Sequence, residues 1–309
     1  MTFWAPPRPS SMRVCAIDVG TNTVVSVVAD VADGRLTVLA DEERFARLGQ
    51  GVDASGRLAP EAMDRAVDRI AAAQATADRL GAERVVIGAT SASRDASNVG
   101  VLQDRVRGEL GLDYRVLPGV EEAALSFRGA LALLPDVDEA AVVDVGGGST
   151  EVVAGTRSGG VAYRTSLDVG SVRLSERHFG ERPPAPPAVR AAQADADAAL
   201  ATVDLNAVRG LPVLSTGSVS RILARLAGAR TFPPFVALAD AEAWRDRMLG
   251  LTPAGVLALA PDALGGREDV APASVLVLAA AVRALGAPGF VATPGALRHG
   301  LALWAAETA

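Results

Sequence analysis

Short uninterrupted apolar runs alternate along this chain with longer stretches whose apolar residues recur at helical spacing. Residues 14–19 form the first run, closed by Asp18-Val19-Gly20-Thr21-Asn22-Thr23. A second covers 24–31, an Asp33-Gly34 turn follows, and a third covers 36–40. Runs of this length bounded by turn residues predict strands joined as hairpins. The series then returns. Residues 140–145 close on Asp144-Val145-Gly146-Gly147-Gly148-Ser149-Thr150, followed by apolar stretches at 152–154 and 161–167 around a Gly-rich turn at 158–160. The two aspartates lie 126 residues apart, about one domain length. Strand, glycine-and-hydroxyl hairpin, strand, turn, strand occurs twice, which predicts two similar units.

Between the echoes, residues 60–80 carry Ala62, Ala66, Val67, Ile70 and Ala73 at helical spacing, with charges between them. A buried strand at 85–89 runs into Thr90-Ser91-Ala92-Ser93-Arg94. A helix over about 98–110 leads to a short strand at 114–117, and a further helix over 121–134 meets a Pro135-Asp136 stop. After the second echo, the Pro-rich stretch 181–187 reads as a surface loop and 188–200 as an Ala-rich helix. Residues 213–215 read as a third buried strand, entering Thr216-Gly217-Ser218 and another helix. Strands alternating with helices predict α/β lobes.

Composition narrows the picture. Half of the 309 residues are hydrophobic, enough for each lobe to bury a core without metals or disulfides. Cys15 is the single cysteine, which excludes an intramolecular disulfide framework and fits a reducing cytoplasm. No apolar run nears the roughly 20 residues of a membrane span, and the first 13 residues read as a frayed leader without a signal peptide's apolar core. The net charge of −6 lacks the basic field of a nucleic-acid binder, so neither nucleic acid nor membrane is an expected partner. A polyanion would have to be met by local arginines and backbone amides.

The two hairpins supply such amides. A turn at the end of a buried strand points successive N–H groups outward, and glycines let an anion approach them. Gly20, Thr21, Asn22 and Thr23 form one candidate phosphate cradle, and Gly146, Gly147, Gly148, Ser149 and Thr150 the other, with Ser215, Thr216, Gly217 and Ser218 as a third loop. Asp18 and Asp144 end strands beside the cradles and Glu151 follows the second. Carboxylates so placed suit Mg²⁺, which takes few protein oxygens and keeps waters. Glu121 and Glu122 open a helix, where the dipole alone favours acids, so their chemistry stays open on residue grounds. Arg94 sits in a polar turn where a guanidinium could hold phosphate through two bonds. Arg173, Arg267 and Arg298 lie in or near turns as weaker candidates. His178 and His299 show no metal-ligand spacing, and Cys15 reads as a buried hydrophobe.

From Arg13 to about Leu303 the chain resembles the exopolyphosphatase/guanosine pentaphosphate phosphatase (Ppx/GppA) family, within the actin, sugar-kinase and heat-shock ATPase superfamily. The carriers are AIDVGTNTVV, ATSASRDASN, PGVEEA, VVDVGGGSTEVV, SLDVGSVRLSE, STGSVS and GALRHG. The resemblance implies a two-lobed actin-like (ribonuclease H-like) α/β duplication with the active site in the cleft. The lobes would be residues 1–127 and 128–309, the last helix packing back on the first. It implies hydrolysis of the terminal phosphate of polyphosphate or the 5′-γ-phosphate of guanosine pentaphosphate, with Mg²⁺ or Mn²⁺. It makes Glu122 the water-activating residue with Glu121 beside it. Asp144 and Glu151 become the metal and catalytic carboxylates and Arg94 the phosphate-binding arginine, while Asp18 stays a metal candidate and Arg267 a phosphate candidate on residue grounds. A homodimer is the oligomer this reading allows.

The chain departs from the family pattern at Leu214, where a glycine is frequent, and at His299, where a glutamate is frequent. Longer members also carry a C-terminal helical domain for which this chain leaves no room, so high processivity on long polymers is not expected. Two other readings stand beside the phosphatase. An ATP-dependent kinase or ATPase of the same superfamily would want a glycine-rich adenosine stretch, for which STGSVS followed by RILARL is a poor substitute. A non-catalytic sensor would want a missing carboxylate, yet Glu122, Asp144 and Glu151 are present.

Overall fold

The computed structural model describes residues 11–230 and 233–308, so most of the N-terminal leader lies outside the described residues. The first lobe runs β1 (Met12–Val19), β2 (Thr23–Ala32), β3 (Arg35–Phe45), α1 (Val52–Ser55), α2 (Pro60–Leu80), β4 (Arg84–Ala89), α3 (Ser91–Asp95), α4 (Val99–Leu110) and β5 (Tyr114–Val116), and α5 (Gly119–Ala132) follows. The second runs β6 (Glu139–Val145), β7 (Thr150–Thr156), β8 (Gly160–Leu167), α6 (Ser171–His178), α7 (Pro186–Leu200), α8 (Leu205–Val208), β9 (Val213–Ser215) and α9 (Gly217–Leu226). It continues through β10 (Phe235–Ala237), α10 (Leu238–Leu249), α11 (Pro253–Leu259), α12 (Pro261–Leu264), α13 (Ala271–Ala284) and β11 (Gly289–Ala292) to α14 (Leu297–Glu307).

The first sheet has the order β3-β2-β1-β4-β5 and the second β8-β7-β6-β9-β11, extended at its edge by β10. In each, three strands form an antiparallel meander and the next two join parallel to the central strand. The structure therefore has the two similar units that the echo predicted, in the two-lobed actin-like arrangement that the resemblance implied. Asp18 and Asp144 occupy matching ends of the central strands: Asp18 pairs with Val25 and Asp144 with Glu151.

Period-two alternation decides which layer each strand residue enters. On β1, Cys15, Ile17 and Val19 face α2 and α4, while Val14 and Ala16 face α14. On the second sheet Ala140, Val142 and Val153 meet Phe127 and Leu131 of α5, and Ala141, Val143 and Val152 meet the core around α13. The apolar run at 275–282 is thus the buried spine of one lobe, and no described helix is long and apolar enough to cross a membrane. Helices α5 and α14 lie between the sheets. They approach closely because their contact is glycine: a Cβ on Gly300 would strike the Leu125 carbonyl, and one on Gly129 the Ala296 carbonyl.

Some boundaries moved. Strand β3 continues past Ala40 to Phe45, because an edge strand needs only one buried face and tolerates Asp41, Glu42, Glu43 and Arg44. Helix α5 starts at Gly119 rather than Glu121, with Pro118 before it, and α7 begins at Pro186, where a proline's missing N–H costs nothing. The polar turn at 90–94 is a one-turn helix.

Candidate active site

The two Asp-ended hairpins face each other across a cleft of about 560 Å³. Its lining includes Asp18, Gly20, Thr21, Asn22 and Thr23 from one lobe, Asp144, Gly146, Gly147, Gly148, Ser149 and Glu151 from the other, and Glu122 from α5. Both turns close alike, with Gly20 N donating to Thr23 O at 2.9 Å and Gly146 N to Ser149 O at 2.9 Å. The loops also touch. A Cβ on Gly148 would collide with Ser91 Oγ, and one on Gly147 would lie 2.7 Å from Thr21 Cβ, so these glycines admit the opposite lobe.

The carboxylates form a buried set of one sign. Glu122 Oε2 accepts from Arg94 Nη1 at 2.5 Å, and Arg94 also donates to the Leu117 carbonyl at 3.0 Å and to Ser149 Oγ at 3.4 Å. Burial pushes the Glu122 carboxyl up to about 7, partly offset by Arg94, with Asp144 adding to the rise. Glu151, 1% exposed, accepts from Ser166 Oγ at 2.7 Å, and burial followed by the charges of Glu122 and Asp144 holds its pKa well above the ordinary value. Asp144 Oδ2 accepts from Ser126 Oγ at 2.8 Å. Asp18 is raised in the same way, by burial first and then Glu122 and Asp144, and its Oδ1 is buried with no hydrogen-bond partner.

An orphaned buried carboxylate oxygen among other acids is what a cation would satisfy. Among the described residues no three metal-ligating side chains converge tightly enough to hold an ion on their own. A cation bound here would therefore take one or two of these carboxylates and complete its shell with water and substrate oxygens. Asp18 and Asp144 are the carboxylates at the cleft wall that could hold it, with Glu151 paired beside Asp144.

Several candidates lie elsewhere. Glu121 turns from the cleft and pairs with Arg115 at 2.7 Å, because adjacent residues on a helix point about 100° apart. Thr150 is fully buried and donates to the Val169 carbonyl at 2.6 Å, so it braces the hairpin instead of lining the cleft. Ser215 and Thr216 are buried at the end of β9 and leave only Gly217 and Ser218 at the cleft wall. Arg94 reaches the site through Glu122 and is absent from the lining. Arg267 does line the cleft, paired with Glu43 at 2.8 Å and 5.1 Å over the Phe45 ring. Arg173 is an interlobe tie, bonded to Gly148 O at 2.7 Å, Asp53 at 2.5 Å and Asp95 at 2.5 Å.

The two departures have structural roles. Leu214, 1% exposed, fills the layer between α5 and the second sheet. His299 is fully buried. Its Nδ1 accepts from Ala296 N at 3.2 Å, and burial beside Arg298 drops its pKa to about 3, so it is a neutral cap of α14. Residue patterns alone missed Ser126 and Ser166, which orient Asp144 and Glu151, and Asp41, Glu43 and Arg221, which line the far wall. The run DEERF carries no apolar–polar alternation to signal Asp41 and Glu43; the pairing of β3 with β2 puts the two on one face.

Comparison with known proteins shows the family. Over 182 residues the chain is 43% identical to exopolyphosphatase 2 of Mycobacterium tuberculosis, covering 56% of each protein. It is 36% identical over 176 residues to a guanosine-5′-triphosphate,3′-diphosphate pyrophosphatase of Photobacterium profundum, covering 57% of this chain and 35% of that protein. The aligned part is thus about half or less of the length of these curated relatives. A solved exopolyphosphatase-like protein superposes with a TM-score of 0.84 at 32% identity, covering 96% of this chain and 98% of that one. The Ppx/GppA phosphatase family pattern matches residues 27–308, and the chain belongs to that family.

Proposed function

We propose that the cleft hydrolyses a terminal phosphoanhydride, releasing the end phosphate of inorganic polyphosphate or the 5′-γ-phosphate of guanosine pentaphosphate with Mg²⁺ or Mn²⁺ bound. The observation that carries this is Glu122: a buried carboxylate at the cleft wall, tied by one oxygen to Arg94 and held near neutral pKa, facing two amide-rich hairpins. A general base works best with a pKa near the operating pH.

The backbone amides of the 20–23 and 146–149 turns would bind the oxygens of the terminal phosphoryl group, and Ser149 would add a hydroxyl donor. Arg94 fixes the orientation of Glu122 through Oε2 and leaves Oε1 to accept a proton from water. That water attacks in line with the leaving oxygen. Ser126 and Ser166 each occupy one oxygen of Asp144 and Glu151 and so set which oxygens face the cleft. A divalent cation near Asp18 and Asp144 would neutralise charge on the phosphoryl group. The curated names of the relatives span both substrate classes, and both present the same anhydride terminus.

The test compares phosphate release from short and long polyphosphate, guanosine pentaphosphate and ATP under one Mg²⁺ concentration. Release from polyphosphate or the pentaphosphate, lost in chelator, is the expected result. Fast ATP turnover with both others inert would overturn the proposal in favour of a kinase-like enzyme.

A further inference from the structure

Beyond the hairpins the cleft has a wall of opposite charge. Helix α9 places Ser218 and Arg221 three residues apart, on one face turned to the cleft. Ser218 Oγ lies 2.9 and 3.0 Å from the two carboxylate oxygens of Glu43, which also holds Arg267 at 2.8 Å. Arg298 forks onto Asp41 at 2.7 and 2.6 Å. Two carboxylates thus serve two of the three guanidinium groups. Among the described residues Arg221 has no ion pair and no hydrogen bond, although it is only partly exposed. Arg267 is 8% exposed, yet its Nε is buried with no acceptor. Burial, with Arg298 beside it, pulls the Arg221 pKa below the usual arginine value.

The Arg267 Nε is a buried donor without an acceptor, which is costly unless something brings one, and the unpaired Arg221 guanidinium lines the same stretch of cleft. The cleft connects this wall to the hairpins, and the strand order of the first sheet sets the order along it. On one side Asp18 pairs with Val25 of β2, and Val25 with Glu43 of β3, the carboxylate that holds Arg267. On the other side Asp18 pairs with Gly88 of β4, and the turn after β4 carries Arg94, which is bound to Glu122. Asp18 therefore stands between the water-directing end and the arginine wall. With water delivered from the Glu122 side, in-line attack sends the leaving group toward that wall.

We infer that Arg221, with Arg267 and Arg298 beside it, forms a second anion subsite that binds the phosphate groups on the leaving side of the cleaved anhydride. Arg221 is its specificity-determining residue. The subsite rests on the phosphatase reading of the same cleft. Its chemistry is that of any chain of phosphates, so the further phosphates could belong to an inorganic polymer or to a nucleotide polyphosphate.

The experiment measures binding by calorimetry in the Glu122→Gln background, with and without Arg221→Gln, for pyrophosphate, long-chain polyphosphate and guanosine pentaphosphate. Arg221→Gln should weaken the long chain by about tenfold or more, as loss of a charge-assisted contact does, and pyrophosphate by about twofold or less. In otherwise wild-type protein KM for the chain should rise by a similar factor at nearly constant kcat, with partial recovery in Arg221→Lys. A loss confined to guanosine pentaphosphate would assign the subsite to nucleotide phosphates, and one confined to the polymer to the chain. Equal losses on pyrophosphate and chain, or no change on any ligand in protein with an unaltered melting temperature, would overturn the subsite. The calorimetry needs no turnover, so an inert wild-type enzyme would reject the phosphatase reading while the binding series still decides the subsite. Arg221→Lys, the milder change, carries the comparison if Arg221→Gln does not fold.

Discussion

In both lobes the chain leaves the central strand at an aspartate, turns through four residues and returns antiparallel, with the same closing hydrogen bond at 2.9 Å. Position by position the hairpin at 18–25 matches the one at 144–151, and the differences lie in what the shared backbone presents. Thr21 and Asn22 stand where the second hairpin has Gly147 and Gly148, and Val25 stands where it has Glu151. The first hairpin is the side that inserts: Thr21 packs into the space the glycines leave. The second is the side that receives, and it alone carries a second carboxylate. The shared topology thus supplies two cleft-facing turns, while the second carboxylate sits on one of them.

Erasing that asymmetry should have the largest effect. Glu151→Val makes the second hairpin an image of the first. Steady-state phosphate release should fall by about a thousandfold, the scale of a lost catalytic carboxylate, while metal-free protein melts higher because a buried like-charged acid has gone. A lower melting temperature would show that Glu151 is structural. Glu122→Gln should lower turnover to a similar degree and retain substrate binding, and near-normal rates would remove it from catalysis.

The aspartates are the conserved half of the duplication. If the orphaned Oδ1 of Asp18 marks a cation position, Asp18→Asn should raise the Mg²⁺ concentration for half-maximal activity by about tenfold or more. A metal titration with unchanged midpoint would refute that role. Gly148→Ala tests the receiving side. Its methyl meets Ser91 and Thr21, so thermal or denaturant unfolding should show a loss of about 1–3 kcal/mol. The matched change in the other hairpin, Asn22→Ala, should stay within about 0.5 kcal/mol.

The smallest effect is on pH. The Glu122 carboxyl is raised to about 7 in the folded protein, with Glu151 and Asp18 raised in the same direction. Such groups favour the folded state while protonated, so their contribution is complete below the ordinary carboxylate range and is lost as pH rises through the folded value. Metal-free protein should melt a few degrees lower at about pH 8 than at about pH 5. Added Mg²⁺ should close that gap mainly at the higher pH. A gap unchanged by Mg²⁺ would separate the acids from cation binding.

The two strand-and-turn echoes, the alternation of strands and helices, and the positions of both glycine-and-hydroxyl turns were legible in the chain alone. These are local properties: an apolar run, a turn requirement and a period can each be read within ten or twenty residues. The sequence also placed Asp18, Asp144 and Glu151 on strand ends, where the pleat dictates direction. Residue physics alone left Glu122 and Glu121 level and the family resemblance chose Glu122; the structure puts only Glu122 at the cleft, because which side of α5 meets it depends on the two sheets that clasp the helix. Only the structure withdrew Thr150 into the core and turned Arg173 into an interlobe tie. It alone found Arg221, whose neighbours Glu43, Arg267 and Arg298 come from three distant parts of the chain. Side-chain partners across a cleft are fixed by how two lobes pack, and no window along one lobe contains that information.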